Sequence, residues 1–283
     1  MKSQQKILSI IIPTFNEEKN LSFCLDSLKG LPCALYIVDS GSNDSTCRIA
    51  RSYKATVYSH PFVNHAQQLN WALKNIPIKT PWVMRLDADE RLPEELAQEI
   101  KLRLPSLPES TAGISLKRRV FFLGRWIRFG GYYPTWLTRI WRLGKGRFEN
   151  RNMDEHLVLC GGDTVMFKSD IIDDNHKDLH WWIEKHNSYA AKEALDFLRP
   201  PIGKSVVANL AGGQNQKKRW YKNNLYYKLP LFLRPLLYFC YRYFLLLGFL
   251  DGRRGLIWHF LQGFWYRFLV DAKIFEAKRI WKK

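Results

Sequence analysis

The amino-acid sequence predicts an α/β fold: a doubly wound, mainly parallel sheet followed by a C-terminal amphipathic helical appendage. Three observations carry this reading. Over roughly the first hundred residues, short apolar runs alternate with amphipathic segments. Polar, acidic clusters sit where the apolar runs stop. From about residue 216 the composition turns basic and aromatic. Alternation with short connections specifies parallel βαβ units, and such sheets take ligands outside the carboxyl ends of their strands.

The elements follow in order. Residues 7–12 are continuously apolar, as a strand buried on both faces requires, and Pro13 ends the run. Asn16 is expected to cap the first helix, with Glu17 and Glu18 in its positive first turn. Leu21, Leu25 and Leu28 share one face of that helix, and Gly30 with Pro32 stops it. Strand 34–38, helix 45–53, strand 56–59, helix 64–75, strand 82–86 and helix 93–104 come next. From 112 to 167, strand-like runs broken at Gly130-Gly131 and Gly161-Gly162 predict a mixed or antiparallel extension closing over the sheet. A helix over 178–198 is stopped by Pro200 and Pro201. The expected division is a domain over 1–215 and an appendage over 216–283.

Composition narrows the function. In 283 residues Lys and Arg number 44 against 26 Asp and Glu, a formal charge of +18. That excess calls for an anionic partner. The five cysteines are scattered, with no Cys-x-x-Cys spacing, and read as reduced thiols rather than a zinc site or a disulfide framework. The opening residues hold no signal-peptide apolar core.

Three acidic clusters end the predicted strands. The most informative is Arg85-Leu86-Asp87-Ala88-Asp89-Glu90. Alternate strand residues point the same way, so Asp87 and Asp89 could be aimed together at one hard cation completed by phosphate oxygens. The plain alternative is a solvated acidic loop. Ile10-Ile11-Ile12-Pro13-Thr14-Phe15-Asn16-Glu17, then Val38-Asp39-Ser40-Gly41-Ser42-Asn43-Asp44-Ser45-Thr46, then Leu86-Asp87-Ala88-Asp89-Glu90, resemble in order and spacing the family-2 glycosyltransferases of GT-A (Rossmann-like) fold. The likeness is strong over about 7–100 and looser to about 200. It extends to the enzymes of bacterial lipopolysaccharide core, capsule and O-antigen assembly.

The resemblance implies an inverting, metal-dependent transfer from a nucleotide-sugar, UDP-linked by analogy, to a hydroxyl of a lipid-linked glycan. Thr14, Phe15 and Glu17 would flank the nucleotide, Asp39 would bind base or ribose, and Gly41 would shape the pocket. Asp87 and Asp89 would hold the diphosphate through Mg or Mn, with His176 as a further ligand; a helix cap with surface histidines is the alternative for His176. Arg85, Arg139 and Arg142 are basic groups able to stabilise the leaving phosphate. Transfer to a hydroxyl needs a base, and the polar segment 150–156 supplies candidates: Glu155 first, then Asp154, with His156 orienting. A polar turn before a strand is the other reading of that segment.

The appendage holds 15 Lys and Arg between Lys217 and Lys283 against 3 acids. Residues 229–250 are nearly long enough to cross a bilayer, but Arg234, Arg242 and two prolines argue against a simple span. A basic aromatic helix suits the headgroup interface instead. The expectation is peripheral attachment to an anionic membrane surface on the cytoplasmic side of the bacterial inner membrane; a helical hairpin packed on the catalytic domain is the alternative. Among rival functions, a nucleic-acid-binding protein lacks any zinc-finger, RNP or helix-turn-helix signature. The retained acidic pairs argue against a binding module that has lost catalysis. A polyprenyl-phosphate sugar transferase is the remaining enzyme alternative.

Overall fold

The computed structural model describes residues 6–149, 156–199, 209–211 and 213–280. The chain forms two compact units: Met1–Arg119 with Trp136–Phe148 and His156–His176, and Val120–Thr135 with Glu149–Glu155 and Lys177–Lys283.

The first unit opens with β1 (Leu8–Thr14), α1 (Leu21–Asp26), β2 (Cys33–Asp39), α2 (Thr46–Ser52), β3 (Thr56–Ser59), α3 (His65–Asn75) and β4 (Trp82–Arg85). It continues with β5 (Glu90–Arg91), α4 (Glu94–Arg103) and β6, which begins at Thr111 and runs to Phe122. The sheet order is β3-β2-β1-β4, then β8 (Thr135–Arg142), β6, β11 (Asp163–Asp174) and β5, while β9 (Gly146–Phe148) and β10 (Leu157–Leu159) pair separately. The first four strands are parallel, whereas β8 joins β4 antiparallel and β11 joins β5 antiparallel. The sheet is therefore mixed.

Alternation along β1 explains the apolar run. Ile10 and Ile12 enter one core with Leu21, Leu25 and Leu96, whereas Ile11 enters another with Ala66, Leu69 and Ala72. Both faces are covered, so both parities must be apolar. Register then sets the site. Thr14 lies opposite Asp39 across β1 and β2. Met84 lies opposite Ile140 across β4 and β8, which carries Arg139 to the carboxyl end of β4.

One boundary differs from expectation. Asn16 does not cap α1, which starts at Leu21 behind Asn20. Asn16 sits at φ 53, and its side-chain oxygen accepts the Asn43 N–H at 3.0 Å. Asn tolerates the left-handed region because its short amide bonds locally, so here it latches two loops together.

In the second unit, β7 (Arg125–Ile127) forms a hairpin with the end of β6. Helices α5 (Leu179–Leu198), α6 (Gln214–Asn224), α7 (Leu233–Cys240), α8 (Gly252–Trp258) and α9 (Tyr266–Ile280) follow. Asp178 caps α5, accepting the Trp181 N–H at 2.9 Å. Ala190 and Ala194 of α5 let Tyr266, Val270 and Ile274 of α9 pack close. The expected long basic helices are broken by π-helical segments at Tyr241–Leu245 and His259–Trp265 and by a 3-10 turn at Gly248–Asp251. Leu247, held at φ 58, ends the first of these runs.

His186 on α5 stacks on Trp182 at 3.5 Å, and its Nδ1 meets the Trp182 carbonyl at 2.8 Å. Burial, aided by the Lys185 and Arg267 charges, lowers its pKa from 6.5 to about 4. The folded form therefore resists a proton that the unfolded chain accepts. The stabilisation is complete above 6.5 and is lost as pH falls toward 4, on the order of 3 kcal/mol in all. Denaturant titrations between pH 7 and 4.5 should show this slope, and His186→Phe should flatten it. An unchanged slope in the variant would refute the assignment.

Candidate active site

The site lies in the first unit, at the carboxyl ends of β1, β2 and β4. Its first half is a pair of interlocked loops. Asp39, buried at the end of β2, accepts from Thr14 Oγ1 (2.9 Å) and Ser42 Oγ (2.6 Å) on one oxygen. On the other it accepts from the Gly41 (3.0 Å) and Ser42 (2.8 Å) N–H groups. Burial raises its pKa, but these four donors outweigh that and hold it below the ordinary value. Gly41 stands at φ +89, which lets its N–H turn back onto Asp39 and which a side chain would strain.

The β1 loop is sewn to this turn. The Asn16 N–H donates to Ser42 Oγ (2.9 Å), Glu17 N–H to Thr46 Oγ1 (2.7 Å) and Glu18 N–H to Asp44 Oδ2 (3.1 Å). Gln68, buried on α3, donates to the Val38 carbonyl (2.9 Å) and Ser40 Oγ (2.6 Å). Thr14 and Asp39 are thus the frame of the loop, and Gly41 its hinge. Phe15 stands out from it, 56% exposed. Glu17 accepts from Asn20 Nδ2 at 2.7 Å.

The second half is the turn after β4. Arg85 Nε donates to Asp87 Oδ1 (3.0 Å), and Arg139 NH2 reaches Asp87 Oδ2 (3.3 Å) and also Glu90. The Asp87 N–H returns to Glu90 Oε2 (3.0 Å). Burial works against ionisation of Asp87, but Arg85 and Arg139, with a smaller contribution from His65, hold it well below the usual carboxylate range. Burial and the Asp87 and Asp173 charges push Glu90 the other way, against the pull of Arg139. Asp89 is half-buried, with Asn175 Nδ2 on its Oδ2 (2.8 Å) and the Asp174 N–H on its carbonyl (2.9 Å).

His176 is exposed. Its ring stacks on Phe23 at 4.4 Å, its Nε2 lies 3.8 Å from Asp174 Oδ2, and its N–H donates to Asn20 Oδ1 at 2.8 Å. Among the described residues no group of three or more His, Cys, Asp and Glu gathers to hold a metal. The donor set at the turn is nevertheless hard: two half-buried carboxylates, Asp87 and Asp89. That suits Mg or Mn when phosphate oxygens complete the shell, so Asp89 and Asp87 are the residues that would hold such an ion.

Arg142 is not part of the site. It donates to the carbonyls of Thr111 (2.8 Å) and Pro108 (2.8 Å) and lies over the Trp82 ring. Asp154 and Glu155 fall outside the described residues. Phe148 and Glu149, the last residues described before that segment, are held by side-chain bonds. Asn70 brackets Phe148, accepting its N–H (2.9 Å) and donating to its carbonyl (3.0 Å), and Arg219 pairs with buried Glu149 at 3.0 Å. Glu90 and His65 are not singled out by the sequence as site residues, beyond Glu90's place in the Asp87-Ala88-Asp89-Glu90 run. Gln67, Gln68 and Asn70 are read from it as a helix face near the donor side or as surface decoration, and the structure buries Gln68 against Val38 and Ser40 and sets Asn70 on Phe148.

The family model described as glycosyl transferase family 2 matches residues 9–175. The chain is 28% identical to the lipopolysaccharide core biosynthesis glycosyltransferase LpsC of Rhizobium meliloti (strain 1021), over 95% of this chain and 92% of that protein. The structure of Staphylococcus aureus TarS 1-349 in complex with UDP-GlcNAc aligns with a TM-score of 0.48 and 15% identity, covering 96% of this chain and 91% of that one. Glucosyl-3-phosphoglycerate synthase from Mycobacterium tuberculosis, in complex with Mn2+, UDP and glucosyl-3-phosphoglycerate, aligns with a TM-score of 0.33 and 24% identity, covering 42% of this chain and 46% of that one. With its α/β site and more than half its length matched by the family model, this chain is a glycosyltransferase belonging to glycosyl transferase family 2.

Proposed function

We propose that the enzyme binds a nucleotide-sugar, UDP-linked in the simplest case, at the ends of β1, β2 and β4. It then transfers the sugar with inversion to a hydroxyl of a lipid-linked glycan in lipopolysaccharide core assembly. One observation carries the donor half of this reading: two arginines, Arg85 and Arg139, converge on Asp87, two residues from the half-buried Asp89. Breaking the bond between sugar and diphosphate builds negative charge on the leaving phosphate. The two guanidiniums, paired with Asp87 and Glu90, set positive charge beside the place where that charge would build. A Mg or Mn ion held by Asp89 and Asp87 supplies further Lewis-acid neutralisation when bound. The preset Asp39 loop offers a rigid wall for the nucleotide, with Phe15 projecting as an apolar surface. The likeness to LpsC along nearly the whole chain supports the lipopolysaccharide acceptor.

The acceptor hydroxyl has to lose a proton, and Glu155 is the proposed base, with Asp154 behind it. Glu155→Gln should then lower transfer by about 10²–10⁴-fold while leaving donor affinity within a few-fold. The assay is turnover of a nucleotide-sugar panel with Mn2+ or Mg2+, alongside donor binding by calorimetry. Undiminished transfer in the variant would exclude Glu155 and point to a phosphate acceptor, which needs no base. Failure to bind or turn over any nucleotide-sugar would overturn the donor reading itself.

A further inference from the structure

The second unit is inside-out along its helical apex. Residues 233–250 contain two charges, Arg234 and Arg242, and both face the protein interior. Arg234 is 1% exposed and its Nε donates to buried Asp271 at 2.8 Å. Arg242 lies over the Tyr132 ring at 3.7 Å and donates to the Gly130 carbonyl and the Tyr238 hydroxyl, both at 2.6 Å. The opposite side is apolar and open. Leu233, Leu236, Leu237, Phe244 and Leu245 fall on one helical stripe and are exposed, Leu245 to 74%.

The stripe does not stop at its own helix. Phe239 touches Phe260 and Phe264, Phe264 touches Phe268, and Phe268 touches Phe232, so one aromatic band joins the two limbs. In water such an arrangement is unfavourable twice over: charges are desolvated while leucines and phenylalanines are hydrated. In hydrocarbon both choices become favourable, because charges must turn inward and apolar groups outward.

Dimensions decide how deep the surface goes. Among the described residues no single helix is long and apolar enough to cross a membrane. The limbs Leu233–Leu245 and Gly248–Ile280 are bent by 71° at their break. The first limb is 13 residues, roughly 20 Å, against a hydrocarbon core of about 30 Å. Just past the bend, Arg253 and Arg254 are both exposed, where anionic headgroups would meet them.

We propose that this bent pair is a re-entrant anchor for an anionic phospholipid bilayer: residues 244–250 enter one leaflet without crossing it, and Arg253 and Arg254 hold the headgroups. The inference stands on the second unit alone and does not depend on which sugar is transferred. Its test is flotation of the full chain with preformed vesicles, either phosphatidylcholine alone or phosphatidylcholine mixed with phosphatidylglycerol. The wild type should float with the mixed vesicles. The double variant Phe244→Glu/Leu245→Glu should lose more than about tenfold in partitioning on both vesicle types. Arg253→Glu/Arg254→Glu should lose more than about tenfold on the mixed vesicles and change little on phosphatidylcholine. Because all four positions are exposed, near-ultraviolet circular dichroism should match the wild type, and nucleotide-sugar hydrolysis in detergent should be retained. Wild-type protein that stays at the bottom of the gradient with mixed vesicles would overturn the proposal. So would flotation unchanged by Phe244→Glu/Leu245→Glu, with sedimentation velocity showing that the same change dissolves a lipid-free dimer; the face would then belong to a second copy.

Discussion

Asp89→Asn should lower kcat/KM for sugar transfer by about 10²–10³-fold and leave thermal stability close to that of the wild type. Asp87→Asn should lose as much activity and also destabilise the fold. The difference follows from what each carboxylate touches. Asp89 is half-buried, with one side-chain partner, Asn175, at 2.8 Å. Its neutralisation removes a ligand for a phosphate-bridged cation while leaving no charge stranded. Asp87 balances Arg85 and Arg139, and Arg139 is buried. Without the Asp87 charge, Arg139 keeps only the buried carboxyl of Glu90 among these acids, whose own ionisation burial opposes, and Arg85 loses its bond to Asp87. Stranding charge in this way costs about 1–3 kcal/mol through lost charge-assisted bonds. The measurements are kcat/KM across a Mn2+ titration and the denaturant midpoint. If Asp89→Asn keeps its Mn2+ response and a rate within a few-fold of wild type, Asp89 does not hold the metal. If Asp87→Asn is as stable as wild type, the Arg85–Asp87–Arg139 cluster does not contribute as its geometry implies.

Much of this cluster was legible in the sequence, and the part that was not has a definite physical cause. The order of strands and helices in the first unit followed from apolar alternation, because burial is decided by neighbours a few residues away. The acidic turn after Trp82–Arg85 was found for the same reason: it ends a strand. Arg139 and Glu90 meet across 49 residues of chain only because an antiparallel strand lies against β4. Periodicity carries no information about that pairing. Arg142, three residues further on the same strand, looked equally suited to phosphate yet props up a loop through carbonyl bonds. Asn16 misled for a local reason. Its amide suits a helix cap and a left-handed latch alike, and only the partner loop bearing Asn43 decides between them. The direction in which Arg234 and Arg242 point was likewise hidden, since helical spacing shows which residues share a face but not whether water or protein lies on it.

That hidden direction has a large energetic consequence. Asp271→Leu should destabilise the protein by about 3–5 kcal/mol, whereas the double variant Arg234→Met/Asp271→Leu should recover most of the loss. Arg234 and Asp271 are buried together, the Phe232 N–H donates to the second Asp271 oxygen at 2.8 Å, and the rings of Phe197, Tyr226 and Tyr227 surround the guanidinium at 5.1–5.3 Å. Removing the aspartate strands a cation among aromatic walls whose cation–π attraction is worth only about 1–2 kcal/mol. Removing both charges leaves an apolar site of similar volume, short of one acceptor for the Phe232 amide, a residual cost of about 1 kcal/mol. Midpoints and slopes of urea unfolding, followed by tryptophan fluorescence, measure both variants on one scale. Equal losses in the single and double variants would mean that packing, not charge pairing, is what Asp271 provides. Recovery in the double variant would show that the pair adds little net stability. Its remaining effect would then be positional: it turns the one cation of α7 inward and so keeps the outer face of that helix entirely apolar.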